Sequence, residues 1–169
     1  MNIVLIGMPG SGKSAIGKRV ARALNREFYD MDNVIERESG MEIKEIFHVY
    51  GEARFREMET MTAKKLGIYK DAVISTGGGA VKNEKNIQYL KANGVIVFID
   101  RPPEIIAGEV STKHRPLLKN GRNEIFRLYD ERIGLYNKFC DIKVENRGRT
   151  REAVNKIVKE VLTYENHGD

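Results

Sequence analysis

The sequence predicts a three-layer α/β/α fold, in which a five-stranded parallel sheet is covered by helices on both faces. Short apolar runs alternate with longer amphipathic segments along the 169 residues, which is the strand–helix order of a parallel sheet. Three of these runs are almost continuously apolar, as expected for strands buried on both faces. The length and the 41% hydrophobic content suit a globular protein with one core. We therefore expect residues 1–169 to form a single domain.

The elements follow in order along the chain. The predicted strands cover residues 2–6, 27–31, 71–76, 94–100 and 141–145. After the first strand, the segment KSAIGKRVARAL places Ile16, Val20 and Leu24 on one face of a helix, and TREAVNKIVKEVL near the C-terminus repeats this spacing. Helices of this kind, each with one apolar face, are the outer layers that the sheet requires.

Two segments lie outside the strand–helix alternation. Residues 32–66 carry several helical turns with no strand between them, which predicts a helical insert after the second strand. Residues 108–122 are polar, basic and poorly periodic, and Pro116 and Gly121 interrupt them. Loops of this length in compact domains are more often functional than idle, so we expect 108–122 to be a mobile lid.

The stretch GMPGSGKS, from Gly7 to Ser14, matches the phosphate-binding pattern G-x-x-x-x-G-K-[ST]. It lies between a predicted strand and a predicted helix, where backbone N–H groups converge on phosphate oxygens. Lys13 would reach the β- and γ-phosphates, and the hydroxyl of Ser14 would bind Mg²⁺. The candidate nucleotide-binding residues are Gly10, Ser11, Gly12, Lys13, Ser14 and Ala15. This pattern predicts a nucleoside triphosphate site but does not define the reaction.

The third predicted strand ends without an aspartate, so the acid associated with the metal must come from elsewhere. Asp30 and Asp32 in YDMD, at the end of the second strand, are the best candidates. The carboxyl ends of parallel strands meet at one edge of the sheet, which would bring this pair beside the phosphate loop. The alternative is that Asp32 only caps the following helix, a role that would leave Asp30 without a function.

A second glycine-rich stretch, ISTGGGAV, follows the third strand and contains Gly77, Gly78 and Gly79. Three consecutive glycines cost backbone entropy, so the chain must need their small size or their conformational freedom. Separately, EARFREMET places Arg56 and Glu59 one helical turn apart. Arginines near a phosphate-transfer site often bind planar anions, although a solvated ion pair would give the same pattern.

Composition narrows the possible partners and compartments. The net charge of +5 comes from dispersed Lys and Arg, so neither nucleic acid nor a membrane surface is an expected partner. No apolar run approaches the roughly 20 residues of a membrane span, and the N-terminal run is too short for a signal peptide. Cys140 is the single cysteine, and we expect it to be a small core residue. We expect a cytoplasmic monomer.

Six motifs occur here in the order and at the spacing of one enzyme family. They are GMPGSGKS, FYDMD, FRxxE (55–59), STGGGAV, RPLL (115–118) and R-x-x-x-Y (132–136). With this combination the chain resembles the shikimate kinase family from Ile3 to about Val161. The resemblance implies the P-loop fold of nucleoside-monophosphate kinases, with a substrate-binding helical insert and a closing lid. It also implies Mg²⁺-dependent transfer of the γ-phosphoryl group of ATP to the 3-hydroxyl of shikimate.

The resemblance assigns roles on the nucleotide side of the site. It implies that Lys13 holds phosphate, that Ser14 and Asp30 hold Mg²⁺ or its water shell, and that Arg115 in the lid closes over the phosphates. It also implies that Arg147, in the loop ENRGR, contacts the adenine side of ATP. ATP is thus the expected co-substrate and Mg²⁺ the expected cofactor.

On the acceptor side, the implied shikimate-binding residues are Asp32, Arg56, Gly78, Gly79 and Arg132. Asp32 would contact the acceptor hydroxyls as a base or an orienting group, and the two arginines would bind the carboxylate. The two glycines would bring backbone N–H groups to the substrate, and Glu59 would orient Arg56. Catalysis itself would rest on Lys13, Asp32 and Arg115.

The chain departs from the family pattern at one place. Many members have a second lid arginine before RPLL, whereas this chain reads GEVSTKH, with Glu109 and Lys113. This departure concerns the clamp on adenine or phosphate and not the reaction class. Separately, a kinase of the same fold that acts on gluconate or a nucleoside monophosphate is the nearest alternative. A catalytically silent nucleotide-binding regulator is the alternative from another class, and the presence of both Lys13 and Asp32 disfavours it.

Overall fold

A computed structural model describes residues 1–110 and 121–166 of the protein. All its strand pairings are parallel, and the five strands lie in the order β2–β3–β1–β4–β5. The strands are β1 (Asn2–Ile6), β2 (Glu27–Asp30), β3 (Ala72–Ser75), β4 (Gly94–Asp100) and β5 (Ile142–Glu145). The helices are α1 (Lys13–Ala23), α2 (Met31–Ser39), α3 (Ile43–Gly67), α4 (Glu84–Lys91), α5 (Pro103–Val110), α6 (Arg122–Phe139) and α7 (Thr150–Asn166). The α/β fold expected from the sequence is confirmed.

The sheet has an apolar core on each face. Along β1, Val4 and Ile6 face one core, whereas Ile3 and Leu5 face the other, as the twofold alternation of a strand requires. Helices α2, α3, α4, α5 and α6 contribute to the first core, and α1 and α7 contribute to the second. The three layers predicted from the continuous apolar runs are therefore present.

The boundary between β2 and α2 differs from the sequence prediction by one residue. Met31 was expected to end the strand, but it is the first residue of α2 and is fully buried. The carboxylate of Asp30 caps the helix by accepting hydrogen bonds from the backbone N–H groups of Asp32 and Asn33. Asp30, and not Asp32, is thus the capping residue, which leaves the side chain of Asp32 available for another role.

The region expected to be a helical insert contains α2 and α3 with no strand between them. The chain leaves helical geometry inside α3 at Gly51, where φ is 82° and ψ is 172°. At the two ends of the segment expected to be a lid, Gly108 and Glu109 belong to α5, and Arg122 opens α6. Residues 111–120, which hold most of the expected lid, lie outside the described residues.

Cys140 follows α6 and immediately precedes β5, where it is half-buried against the core. It therefore packs as a small apolar residue, although it lies at the end of a helix and not in the strand. Within residues 1–110 and 121–166, no helix has the length and hydrophobicity that crossing a membrane would need.

Candidate active site

The carboxyl ends of all five strands lie at one edge of the sheet, and a polar loop or residue follows each of them. The phosphate loop from Gly7 follows β1, Asp30 ends β2, Thr76 and the glycine triplet follow β3, Arg101 follows β4, and Asn146 follows β5. In parallel α/β sheets this edge is where ligands bind. The architecture alone therefore locates the candidate site.

The side chain of Lys13 forms hydrogen bonds within its own phosphate loop. Lys13 is buried, and its ammonium group donates hydrogen bonds to the carbonyl oxygens of Gly7 and Met8, each at 2.8 Å. Gly12 has a φ of 95°, a left-handed conformation that L side chains rarely adopt. The loop leads directly into α1, so the N–H groups of Ser14 and Ala15 lie at the positive end of this helix. This arrangement suits an anion such as a nucleotide phosphate.

Ser14 and Asp30 form a pair of oxygen ligands beside the loop. The hydroxyl of Ser14 donates a hydrogen bond of 2.5 Å to Asp30 Oδ2, and it lies 3.5 Å from the hydroxyl of Ser75. Mg²⁺ prefers hard oxygen ligands and usually retains several waters and substrate phosphates. One hydroxyl and one carboxylate next to a phosphate site therefore fit Mg²⁺. Among the described residues no cluster of three or more His, Cys, Asp or Glu could hold a metal by itself.

The residues expected to bind the acceptor lie together around one cavity of about 330 Å³. Its lining includes Asp32, Arg56, Gly78, Gly79 and Arg132. Pro9 of the phosphate loop also lines this cavity, so the candidate acceptor site adjoins the candidate nucleotide site. A cavity of this size suits a compact small molecule.

The guanidinium of Arg56 is fixed from two sides. Its Nη1 donates to Glu59 Oε1 at 2.8 Å, and its Nη2 donates to Glu52 Oε1 at 3.4 Å. A Cβ added to Gly79 would lie 2.7 and 2.8 Å from the two terminal nitrogens of this guanidinium. Gly79 is thus glycine because Arg56 passes directly against its backbone.

Glu59 is 1% exposed and Oε2 of its carboxylate has no hydrogen-bond partner within the described chain. Burial raises its pKa, although Arg56 and Arg132 act in the opposite direction. A Cβ on Gly77 would lie 3.1 Å from this orphaned oxygen and 3.2 Å from Asp32 Oδ1. Two acidic side chains thus approach Gly77, the one glycine of the triplet to which the family resemblance assigned no role.

Asp32 has an elevated proton affinity. Burial, together with the negative charges of Asp30 and Glu59, raises its pKa from 3.8 to about 6, and the positive charge of Lys13 partly offsets these effects. Asp32 is therefore mostly ionised at neutral pH but far more basic than an exposed aspartate. A carboxylate of this kind can accept a proton from a hydroxyl or hold one in place.

Arg132 on α6 is buried at the cavity, and its Nε has no hydrogen-bond partner within the described chain. One helical turn later, Tyr136 is fully buried and stacks on Phe98 with ring centroids 5.0 Å apart. Its hydroxyl donates a 2.7 Å hydrogen bond to the carbonyl of Gly78. The R-x-x-x-Y motif thus places the guanidinium of Arg132, whose Nε lies 3.7 Å from Glu131 Oε1, at the cavity, and it ties the tyrosine hydroxyl to the glycine triplet.

The remaining sequence-predicted residues lie apart from this cavity or outside the description. Arg147, on the loop after β5, is exposed and pairs with Glu145 at 2.8 Å. Arg115 and Lys113 belong to residues 111–120 and lie outside the described residues. Glu109, which occurs near the absent second lid arginine, forms a bidentate pair with Arg101 through distances of 2.6 and 3.1 Å.

Sequence patterns missed two side chains that reach the phosphate loop. Arg101 donates to the carbonyl of Gly10 at 3.1 Å, and Asn146 donates to the carbonyl of Ser11 at 2.9 Å. Both contacts join residues more than 90 positions apart, so no local spacing could reveal them. Their one sequence signal is that each directly follows a predicted strand at the binding edge.

Comparisons with known proteins identify the family. The family model described as "Shikimate kinase" matches residues 9–162. The chain belongs to the shikimate kinase family. A shikimate kinase of Clostridium botulinum (strain Eklund 17B / Type B) is 46% identical over 160 residues, which are 95% of this chain and 96% of that protein. The family assignment made from the six motifs is therefore confirmed, as is the ATP-dependent phosphotransferase class.

Solved structures extend this similarity to three dimensions. A shikimate kinase from Acinetobacter baumannii, solved in complex with shikimate, superimposes with a TM-score of 0.89 at 36% identity, covering 96% of this chain and 93% of that one. A gluconokinase from Sinorhizobium meliloti 1021 gives a TM-score of 0.56 at 14% identity, covering 96% of each chain, and so shares the fold alone. The shikimate kinase family is thus closer to this chain, in both sequence and structure, than the gluconokinase.

Proposed function

We propose that this protein is a shikimate kinase that transfers the γ-phosphoryl group of ATP to the 3-hydroxyl of shikimate, giving shikimate 3-phosphate and ADP. The observation that carries the proposal is that Asp32, Arg56 and Arg132 line one cavity together with Pro9 of the phosphate loop. Shikimate carries one carboxylate and three hydroxyls on a compact ring. Two guanidinium groups and one basic carboxylate are the partners that such a molecule needs.

The acceptor is held through its carboxylate. Arg56 and Arg132 bind this group, and the orphaned Nε of Arg132 gains a partner when they do so. Glu59 keeps the guanidinium of Arg56 in one orientation through their 2.8 Å hydrogen bond. The N–H groups of Gly78 and Gly79 complete the contacts, because no side chain shields them. With the carboxylate fixed, the ring hydroxyls point towards Asp32 and the phosphate loop.

The transfer step needs positioning and charge neutralisation more than covalent help from the protein. Asp32 orients the 3-hydroxyl and takes its proton while the oxygen bonds to the γ-phosphorus and the bond to the β–γ bridging oxygen breaks. Lys13 turns from the carbonyls it now contacts to the phosphates of ATP. Arg115 adds positive charge from the lid, and lid closure excludes water that would otherwise hydrolyse ATP.

Ser14 and Asp30 hold Mg²⁺ with ATP, directly or through water. Mg²⁺ bound there neutralises charge on the β- and γ-phosphates. Arg147 contacts the adenine side from the loop after β5. We further propose that the protein acts as a cytoplasmic monomer, with shikimate and ATP as its small-molecule partners and without nucleic acid or membrane partners.

ADP release with a panel of acceptors tests the proposal. The purified protein, Mg²⁺ and ATP are incubated with shikimate, gluconate or a nucleoside monophosphate, and phosphorus NMR locates the phosphate on the product. We expect turnover with shikimate alone and phosphate on the 3-hydroxyl. Turnover with gluconate or a nucleotide instead would assign another kinase activity, and ATP binding with no turnover on any acceptor would assign a regulator. Removing Mg²⁺ should abolish turnover, and adding Mg²⁺ back should restore it.

A further inference from the structure

The outward-facing carbonyls of the phosphate loop are held by side chains from three parts of the chain. Lys13 holds the carbonyls of Gly7 and Met8, both at 2.8 Å. Arg101, which follows β4, holds the carbonyl of Gly10 at 3.1 Å, and Asn146, which follows β5, holds that of Ser11 at 2.9 Å. The last two contacts come from outside the loop and have no part in the mechanism above.

The direction of a carbonyl determines the direction of the next N–H group. A trans peptide is planar, so its C=O and N–H point in opposite directions. The carbonyl of Ser11 shares a peptide unit with the N–H of Gly12, and the amide of Asn146 therefore fixes where this N–H points. A peptide that flipped would instead aim a carbonyl oxygen at the phosphates, which would repel it.

Arg101 acts on the preceding peptide unit. The carbonyl of Gly10 shares that unit with the N–H of Ser11, which donates to the carbonyl of Met8 at 3.1 Å. Arg101 is itself held by its bidentate pair with Glu109 on α5, and only 10% of its side chain is exposed. The peptide unit between Gly10 and Ser11 is thus held at its carbonyl oxygen by Arg101 and at its N–H group by the carbonyl of Met8.

Asn146 is well placed for a positioning role. It is 3% exposed, and its Oδ1 accepts the N–H of Gly148 at 3.1 Å while its Nδ2 donates to Ser11. Its Nδ2 also lies 3.0 Å from where a Cβ on Gly12 would be, so the amide packs directly against the loop. The same side chain therefore shapes the loop that follows β5 and the phosphate loop.

We propose that Asn146 and Arg101 are positioning residues that hold the peptide units of the phosphate loop in place before nucleotide binds, so that the N–H of Gly12 is directed at the phosphate. This inference rests on the proposed use of ATP. Substitution of either residue should have a selective effect on binding, because only the parts of a ligand that lie in the phosphate loop contact the altered peptide units. Affinity for the β-phosphate should fall, whereas affinity for shikimate and for the rest of the nucleotide should not.

Binding of ADP and AMP to Asn146→Ala and Asn146→Asp tests the role of Asn146. We expect both variants to bind ADP about 5- to 20-fold more weakly, the range for one lost hydrogen bond and a partly disordered loop. In the Asp variant, which keeps the acceptor for the N–H of Gly148 and so the shape of the loop after β5, AMP affinity should change less than twofold. The Asp variant retains an acceptor for the N–H of Gly148, so a loss in both variants assigns the effect to the donor. Asn137→Asp is the matched control, since this exposed amide also donates to a backbone carbonyl, that of Ile133 at 3.0 Å.

Kinetics separate positioning from folding. In both Asn146 variants we expect the KM for ATP to rise and the KM for shikimate to stay within twofold. In Asn146→Asp, a proportional loss of ADP and AMP affinity, or unchanged ADP affinity with only a lower Tm, would overturn the inference. If the unaltered protein itself failed to bind ADP, the proposed function would fail first, and this outcome is seen before any variant is made.

A double-mutant cycle tests Arg101. Arg101→Met should weaken ADP binding, and Arg101→Met combined with Asn146→Ala should weaken it less than the product of the two single effects, because both act on one loop. Glu109→Gln separates the pair with α5 from the contact with Gly10 and should have the smaller effect. Arg54→Lys, in an exposed pair with Glu57, is the control. Independent effects of Arg101 and Asn146, or a larger effect of Glu109→Gln, would contradict a shared role in the loop.

Discussion

Replacing Gly79 with alanine should separate acceptor binding from nucleotide binding. The backbone of Gly79 has a φ of −92°, which alanine adopts without strain, so the substitution tests space alone. The added Cβ would lie 2.7 Å from Nη2, 2.8 Å from Nη1 and 3.1 Å from Cζ of Arg56. Real Cβ atoms essentially never come closer than about 3.0 Å, so the guanidinium must move.

The size of the effect follows from what holds Arg56. Its hydrogen bonds to Glu59 and Glu52, at 2.8 and 3.4 Å, must lengthen or break when the guanidinium is displaced. A displaced guanidinium also meets the substrate carboxylate with poorer geometry, and a hydrogen bond to a charged group contributes about 1.5–3 kcal/mol. The KM for shikimate should therefore rise about 10- to 100-fold, whereas the KM for ATP should change less than twofold.

Steady-state kinetics with each substrate varied in turn measures this difference, and thermal unfolding checks that the variant is folded. Gly134→Ala is the matched control, because Gly134 is an exposed position of α6 with no atom within 4 Å of an added Cβ. The control should keep both KM values and gain slightly in stability. Equal losses for shikimate and ATP would assign the glycine triplet a folding role, and unchanged kinetics would place Arg56 elsewhere.

Three further substitutions probe the surroundings of the triplet. Gly78→Ala should raise the KM for both substrates, since its Cβ would lie 2.6 Å from Pro9 of the phosphate loop. Asp32→Asn should abolish turnover yet stabilise the ligand-free protein by up to about 3 kcal/mol above pH 6, because a pKa raised from 3.8 to about 6 penalises the ionised form at about 1.36 kcal/mol per pKa unit. This gain in stability should shrink as the pH falls towards 4, because Asp32 of the unaltered protein is then protonated. Denaturant unfolding at several pH values measures the change. Protonation of Asp32 should also make shikimate turnover by the unaltered protein decline below about pH 6. Tyr136→Phe leaves the carbonyl of Gly78 without its 2.7 Å donor and should cost about 1–3 kcal/mol in unfolding free energy, and an unchanged value would show that water replaces the hydroxyl.

Much of the fold was predictable because its strands carry their own signal. β1 and β4 are almost continuously apolar, and both begin and end where the sequence patterns placed them. The edge strand β2 was less predictable at its end, since two nearby carboxylates could each cap the next helix. Asp30 does so in the structure because the helix begins at Met31, and Asp32 then lies within the first turn.

The candidate site was predictable where local spacing carries chemistry and unpredictable where tertiary contacts do. Arg56 and Glu59 have the i, i+3 spacing of a surface ion pair. Only the burial of Glu59, which is 1% exposed, distinguishes a pair in the binding site from a pair on the surface. Asn146 meets Ser11 across 135 positions. An asparagine after a strand is common, so its contact with the phosphate loop becomes visible only when β5 is placed at the sheet edge two strands from β1.

The glycine triplet owes its composition to three different neighbours. A side chain at Gly77 would crowd the carboxylates of Asp32 and Glu59, one at Gly78 would collide with Pro9, and one at Gly79 would collide with Arg56. The triplet thus lies where the acceptor acid, the phosphate loop and the anion-binding arginine converge. The second glycine loop is therefore best explained as the surface that lets the acceptor half of the site approach the nucleotide half closely enough for phosphoryl transfer.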